Sequence, residues 1–263
     1  MRTNVAACLA LFERDVRAIR RSRSQVYSSV FTPLLLLVFL GTGVSRGLQP
    51  ASLPAGNFTA YLVPGVVVMT AVFAATFASA SYYRDRDSGV LRMLLSSPAS
   101  GRTVLLGKSL AGVTLGTVQA CAALLIASPF VDFDWQYGIG PGLLLSVAAI
   151  VLLNLILAGV AQALASRIET MQGFHLLMNL VLFPLLFFSG AFFPVDNLPV
   201  WLEVLARINP LSYAVDALLL AAYAGGSEGF FGLAIDFAVL GALAAIVYGL
   251  GFARLPRLTW SGG

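Results

Sequence analysis

The sequence predicts an all-α integral membrane protein with six transmembrane helices and both termini in the cytoplasm. Three observations carry this. First, 59% of the 263 residues are hydrophobic and 11% charged, with a mean hydropathy of +0.88. A soluble domain is roughly 45 to 50% apolar and 25% charged, so lipid must solvate most of this surface. Second, six segments approach the roughly 20 apolar residues that cross a bilayer: 26–45, 60–81, 104–129, 143–165, 172–193 and 230–253. Third, the cations are sorted. Arg2, Arg14, Arg17, Arg20, Arg21 and Arg23 precede the first span; Arg84, Arg86, Arg92, Arg102 and Lys108 follow the second; Arg167, Arg254 and Arg257 complete that side. Only Arg46 and Arg207 face the other side, so positive residues mark the cytoplasm. This placement assigns the net charge of +4 to topology rather than to nucleic acid.

The chain reads as one transmembrane domain, 1–263, with three landmarks. Residues 1–24 form an amphipathic helix, because Val5, Cys8, Leu9, Phe12, Val16 and Ile19 recur at three or four while Arg14, Arg17 and Arg21 lie opposite. Such a helix lies on the inner leaflet or packs on a partner protein. It also argues against a secretory signal ending at Gly43-Val44-Ser45, whose basic region needs no helix of its own. Residues 82–103 form a cytoplasmic loop. Residues 194–226 form an outer hairpin, apolar but broken by Pro194, Pro199 and Pro210. Its pieces, 199–208 and 211–224, are each too short to span and dip into the outer interface, anchored by Trp201, Tyr213 and Tyr223. Pro199 and Pro210 suit first-turn positions.

Catalytic chemistry finds no purchase. Gly101 to Ser109 resembles a phosphate loop but has five residues between its glycines where four are needed, and no strand precedes it. Lys108 reads instead as a snorkelling residue at the inner mouth of the third span. Gly43 to Gly47 matches a nucleophile elbow, yet His175, the sole histidine, lies near the inner end of span five, a membrane thickness away. Cys8 and Cys121 sit in different segments, so neither a disulfide nor a metal cluster is expected. Among the polar residues inside spans, Asn154 and Asn179 are expected to bond helix to helix. Asp236, near the outer end of span six, is a cap, a hairpin contact or a functional carboxyl.

The loops carry more. Tyr83 to Pro98 reads Y-R-D-R-D-S-G-V-L-R-M-L-L-S-S-P. Val90, Leu91, Leu94 and Leu95 share one face of a short helix bounded by Gly89 and Pro98, a docking element in a polar loop. With its acidic-Arg-acidic-x-Gly start, Leu-rich turn and closing Pro, this stretch resembles the coupling loop of permease subunits of type-2 ABC exporters, the class of daunorubicin-resistance and polysaccharide exporters. Asp85, Arg86, Asp87, Gly89, Leu91, Leu94, Leu95 and Pro98 fit, with Arg84 beside them and Asp where Glu is commoner. The outer hairpin adds Ser189-Gly190, Phe193-Pro194, Leu198-Pro199-x-Trp201-Leu202 and Asn209-Pro210-Leu211-x-Tyr213-x-x-Asp216. The likeness covers the whole chain, although an Arg frequent three residues after the acidic position is Leu219 here.

The resemblance implies a half-transporter in the cell inner membrane. Two permeases, identical or different, would meet through spans one, two and five. Two cytosolic ATPase subunits would bind ATP and Mg, leaving this chain without cofactor, metal or catalytic residue of its own. The expected cargo is a hydrophobic drug, lipid or lipid-linked saccharide. Phe73, Phe77, Phe183, Phe187 and Phe188 are expected to line its route, or else to contact lipid, and Asn209, Pro210 and Tyr213 to shape the outer gate. The rival reading is an ion-coupled secondary transporter, which calls for internal repeats and midplane charges that are not evident here.

Overall fold

A computed structural model describes residues 2–21, 23–44, 58–90, 93–94, 101–193, 195, 199–223 and 230–254. Among these, the regular structure is helical: α1 (Arg2–Arg21), α2 (Arg23–Val44), α3 (Phe58–Ala78), α4 (Ala80–Asp87), α5 (Gly101–Ala127), α6 (Ile139–Ala165), α7 (Met171–Phe187), α8 (Val200–Ile208), α9 (Pro210–Ala222) and α10 (Leu233–Arg254). Four stretches are long and apolar enough to cross a membrane: 58–87, 106–130, 139–165 and 233–250. Helices α2 and α7 contribute shorter apolar runs of 17 residues, and α8 with α9 forms a pair bent by 86° at Asn209.

The bundle is organised around α3, which packs against α2, α5, α6, α7 and α9. Almost every side chain from Phe58 to Thr76 is buried, which explains why this helix has no polar face. Small residues permit the close approaches. A Cβ on Gly65 would come 2.2 Å from the Ala191 carbonyl oxygen, and one on Gly116 of α5 would come 2.1 Å from Asn154 Oδ1 of α6. Such small-residue contacts are how helices associate where lipid offers no hydrophobic drive. Hydroxyl and amide pairs fasten the same layer: Ser29 Oγ donates to Gln119 Oε1 at 2.8 Å, and Ser109 Oγ to Gln162 Oε1 at 2.6 Å.

Several boundaries and roles differ from the sequence reading. Helix α7 stops at Phe187, six residues before the expected end, because Ser189 and Gly190 turn the chain and the Tyr61 hydroxyl of α3 donates to the Gly190 carbonyl. The amphipathic α1 packs on α5 of its own chain, with Leu11 and Asp15 inward and Leu9 exposed. Its packed face is thus rotated from the predicted apolar stripe. Asn154 Nδ2 donates to Ile150 O within its own helix at 2.9 Å, and Asn179 lies exposed, so neither bonds another helix among the described residues of this chain. Pro210 opens α9 as predicted, whereas Pro199 is the N-cap of α8 rather than a first-turn residue. Helix α9 is buried from Leu211 to Ala222, apart from Tyr213, against α3, α6 and α10, while α8 remains exposed at Val200, Trp201 and Ile208.

Candidate functional site

One end of the bundle carries a compact ionic cluster. Helix α3 passes into α4 at Ser79 and delivers Asp85 toward the start of α5, where Lys108 waits; α1 lies across both and supplies Arg14 and Asp15. Lys108 Nζ reaches Asp15 Oδ2 at 3.2 Å and also pairs with Asp85. Arg14 holds Asp15 Oδ1 at 2.8 Å and pairs with Asp85 as well. The Lys108 and Asp15 side chains are only 5% and 3% exposed, while those of Asp85 and Arg14 are 15% and 37% exposed, so the Lys108–Asp15 pair lies away from water within a cluster of two positive and two negative groups. Burial of this kind is tolerable only when pairing is complete. Lys108 therefore does not snorkel as predicted: it is the buried centre of the cluster that joins α1, α4 and α5. Gly107 beside it makes this possible, since a Cβ there would come 3.0 Å from Leu11 Cβ and 3.1 Å from the Cys8 carbonyl oxygen.

The next residue faces another neighbour. Arg86 Nη1 donates to the Ile168 and Glu169 carbonyls, both at 3.2 Å, and the Tyr83 hydroxyl donates to Ile168 O at 3.3 Å. The Tyr83 ring, fully buried, lies 5.5 Å from that of Phe174 in α7. Consecutive residues of α4 thus bind α1 and α5 on one side and the α6–α7 turn on the other. Arg84 and Asp87 point to solvent, and Gly89 turns the chain with φ of 75°. Met93 N donates to Gly89 O at 3.3 Å, so the segment resumes helix there, with Leu94 half-buried. Leu91, Leu95 and Pro98 lie outside the described residues.

At the opposite end, Asn209 forms the corner of the bent pair. Its Oδ1 accepts from Leu211 N at 3.0 Å, capping α9, while Nδ2 donates to the Leu185 carbonyl of α7. Tyr213 donates its hydroxyl proton to Arg207 O at 2.7 Å, and its ring stacks on Phe231 at 4.2 Å. Four of the five predicted aromatic residues make ring contacts. Phe73 of α3 meets Phe183 of α7 at 6.1 Å, and Phe77 meets His175 at 6.4 Å; Phe187 instead packs on Phe192 at 5.3 Å. Phe188 is half-buried after the end of α7. Leu219, where an Arg was expected from the resemblance, is buried.

The family model for the ABC-2 type transporter matches residues 6–223, spanning the cluster, the loop and the bent helix pair. The chain belongs to the ABC-2 type transporter family. This ABC-2 permease is 26% identical over 213 residues to nodulation protein J of Rhizobium leguminosarum bv. trifolii, covering 80% of this chain and 79% of the relative. It is 29% identical over 214 residues to the putative transport permease ycf38 of Porphyra purpurea, covering 80% and 71%. It is 30% identical over 166 residues to the probable multidrug ABC transporter permease YbhR of Escherichia coli K12, covering 62% of this chain and 44% of that one. Membership makes the ABC-2 permease a multi-pass membrane transport subunit that associates with an ABC ATPase.

Of the coupling residues predicted in the ABC-2 permease, Asp85 and Arg86 have defined structural partners. Arg14, Asp15 and Lys108 were missed as a unit. Their sequence trace is slight: an acid at the edge of a basic amphipathic helix, and a Gly-Lys pair one turn into a span.

Proposed function

We propose that this chain is the membrane half of an ATP-driven exporter, in which two permeases, identical or different, pair with two cytosolic ATPase subunits. The observation that carries this reading is the double anchorage of α4. A segment that must pass an ATPase movement to the membrane needs rigid connections on both sides, and α4 has Asp85 tied to α1 and α5 and Arg86 tied to the α6–α7 turn. Arg84, Asp85, Arg86, Asp87, Gly89, Leu91, Leu94, Leu95 and Pro98 make up the proposed coupling segment, in which Leu91, Leu94 and Leu95 dock on the ATPase and Asp85 and Arg86 position the segment, with ATP and Mg bound by the partner. In this reading α2, α3, α5, α6, α7 and α10 are the six spans, with both termini cytoplasmic, in keeping with the cation distribution. The exposed apolar side chains of α2 and α7, among them Phe31, Phe39, Leu176 and Leu180, suit a second permease. Phe73, Phe77 and Phe183, with Phe187 and Phe188 further out, flank the route, and Asn209, Pro210 and Tyr213 set the outer gate. An apolar, aromatic route favours a hydrophobic drug, lipid or lipid-linked saccharide, and one relative is named a multidrug permease.

The test is reconstitution in vesicles with the ABC ATPase, following a lipophilic fluorescent dye and a fluorescent phospholipid. ATP-dependent movement that needs both subunits is expected. Equal movement by the permease alone, without ATPase, would contradict the reading.

A further inference from the structure

A cleft opens beside the ionic cluster, between the α3–α4 junction, α5 and α6. It lies near one shared end of three stretches long enough to cross a membrane, 58–87, 106–130 and 139–165. In a bilayer that is the depth of the lipid headgroups. The cleft encloses about 360 Å³ up to its open mouth, room for a headgroup phosphate and not for a whole lipid.

Its walls change character along the bundle axis. Ser79, Lys108 of α5 and Gln162 of α6 stand at one level. Ala75, Gly112 and Ala158, each four residues away on the same helix, stand one turn deeper. A polar ring thus lies over an apolar one, the profile of a lipid headgroup over its glycerol and acyl chains. The deeper level is lined by small residues: a Cβ on Gly112 would come 3.4 Å from Ala78 Cβ and 4.0 Å from Ala158 Cβ, and no larger side chain fills the space.

The polar level offers donors. An ammonium has three N–H groups. Lys108 Nζ gives one each to Asp15 and Asp85, neither of which lines the cleft, and keeps the third. Gln162 accepts from Ser109 Oγ through Oε1, and its amide N–H groups make no hydrogen bond among the described residues. The same holds for the hydroxyl of Tyr82, on the α4 side of the cleft. Lys108 is the one residue of the described lining that carries a formal charge at neutral pH. A phosphodiester complements this set, being negative and able only to accept.

We propose that the cleft binds one phospholipid by its phosphate, with Lys108 Nζ, the Gln162 amide and the Tyr82 hydroxyl as donors and the glycerol end of the acyl chains against Ala75, Gly112 and Ala158. The bound headgroup ties α4, α5 and α6 together beside the ionic cluster. The proposal needs only that the chain lies in a bilayer and does not rest on the transport reading.

Lys108 is the only lysine in the sequence, so nitrogen-15 in the lysine side chain gives a single ammonium signal. The experiment is solid-state NMR of the full-length chain in bilayers of phosphatidylglycerol and phosphatidylethanolamine, reading the dephasing of that signal by phosphorus-31. Strong dephasing is expected in the wild type. In bilayers of digalactosyldiacylglycerol, which contain no phosphorus, added inorganic phosphate is expected to cause none. Ala158→Leu fills the deeper level without touching the Lys108 ion pairs, and should lose the dephasing in phospholipid while the ammonium shift stays where it was. Gly112→Leu makes the same test from the facing helix should the first variant misfold. A wild type without dephasing in phospholipid would overturn the site, and dephasing unchanged in the filled variants would overturn the cleft as its seat. Dephasing by inorganic phosphate alone would mark a free-anion site and overturn the lipid.

Discussion

The two ends of this molecule treat buried charge in opposite ways. At the end that carries α4, Lys108 and Arg14 face Asp15 and Asp85, each charge with an opposite partner. At the end that carries the turn into α10, Asp216 accepts backbone N–H groups, and the buried Asp236 has no hydrogen-bond partner among the described residues. The first arrangement resists removal of any member, since the remainder is left with an uncompensated charge.

The largest expected effect comes from breaking the inner cluster. Lys108→Met leaves two buried acids with one cation, which costs about 3 to 5 kcal/mol and should appear as a large drop in melting temperature in nanodiscs. Asp15→Asn/Lys108→Met, which keeps the Arg14–Asp85 pair, should lose clearly less than the two single changes added together. Additive losses would show that the four groups do not act as a unit.

Next come the close helix contacts. Gly65→Ala drives a methyl into the Ala191 backbone and should cost about 1 to 3 kcal/mol or more. Gly116→Ala meets a side chain instead, so Gly116→Ala/Asn154→Ala should recover most of its loss by the same melting measurement. No recovery would place the clash elsewhere.

Arg86→Ala separates stability from coupling. Its side chain is exposed, so unfolding should change by less than about 1 kcal/mol, while ATP-driven transport in vesicles falls several-fold at unchanged ATPase binding. Loss of binding instead would make Arg86 a docking residue rather than a positioning one. The smallest effect belongs to Glu203→Gln: the exposed pair with Arg207 at i,i+4 contributes about 0.3 to 0.5 kcal/mol, and the melting temperature should barely move.

What the sequence made legible followed the scale of each signal. Hydropathy runs marked the membrane helices because burial in lipid demands about 20 consecutive apolar residues. It could not mark the end of α7, since Phe187 to Phe193 stays apolar and the break is a turn at Ser189 and Gly190 braced by Tyr61, far away in the chain. The prolines around Asn209 announced two short helices, yet the burial of α9 depends on packing against α3, α6 and α10. Asp85 and Arg86 were visible as a charged motif before a Leu-rich turn. Their partners Arg14, Lys108 and Ile168 were not, because no local spacing relates residues 14, 85, 86, 108 and 168. Lys108 shows the difficulty best: a lysine at a span's end snorkels unless a remote acid claims it.

The central claim is that the loop carried by α4 is where an ATPase drives this permease, and co-purification tests it directly. Wild-type chain expressed with its ABC ATPase should retain one ATPase per permease on size-exclusion chromatography, and Leu91→Asp/Leu94→Asp should retain none while keeping its own helical content and monodispersity. Full ATPase retention by that folded double variant would contradict the account.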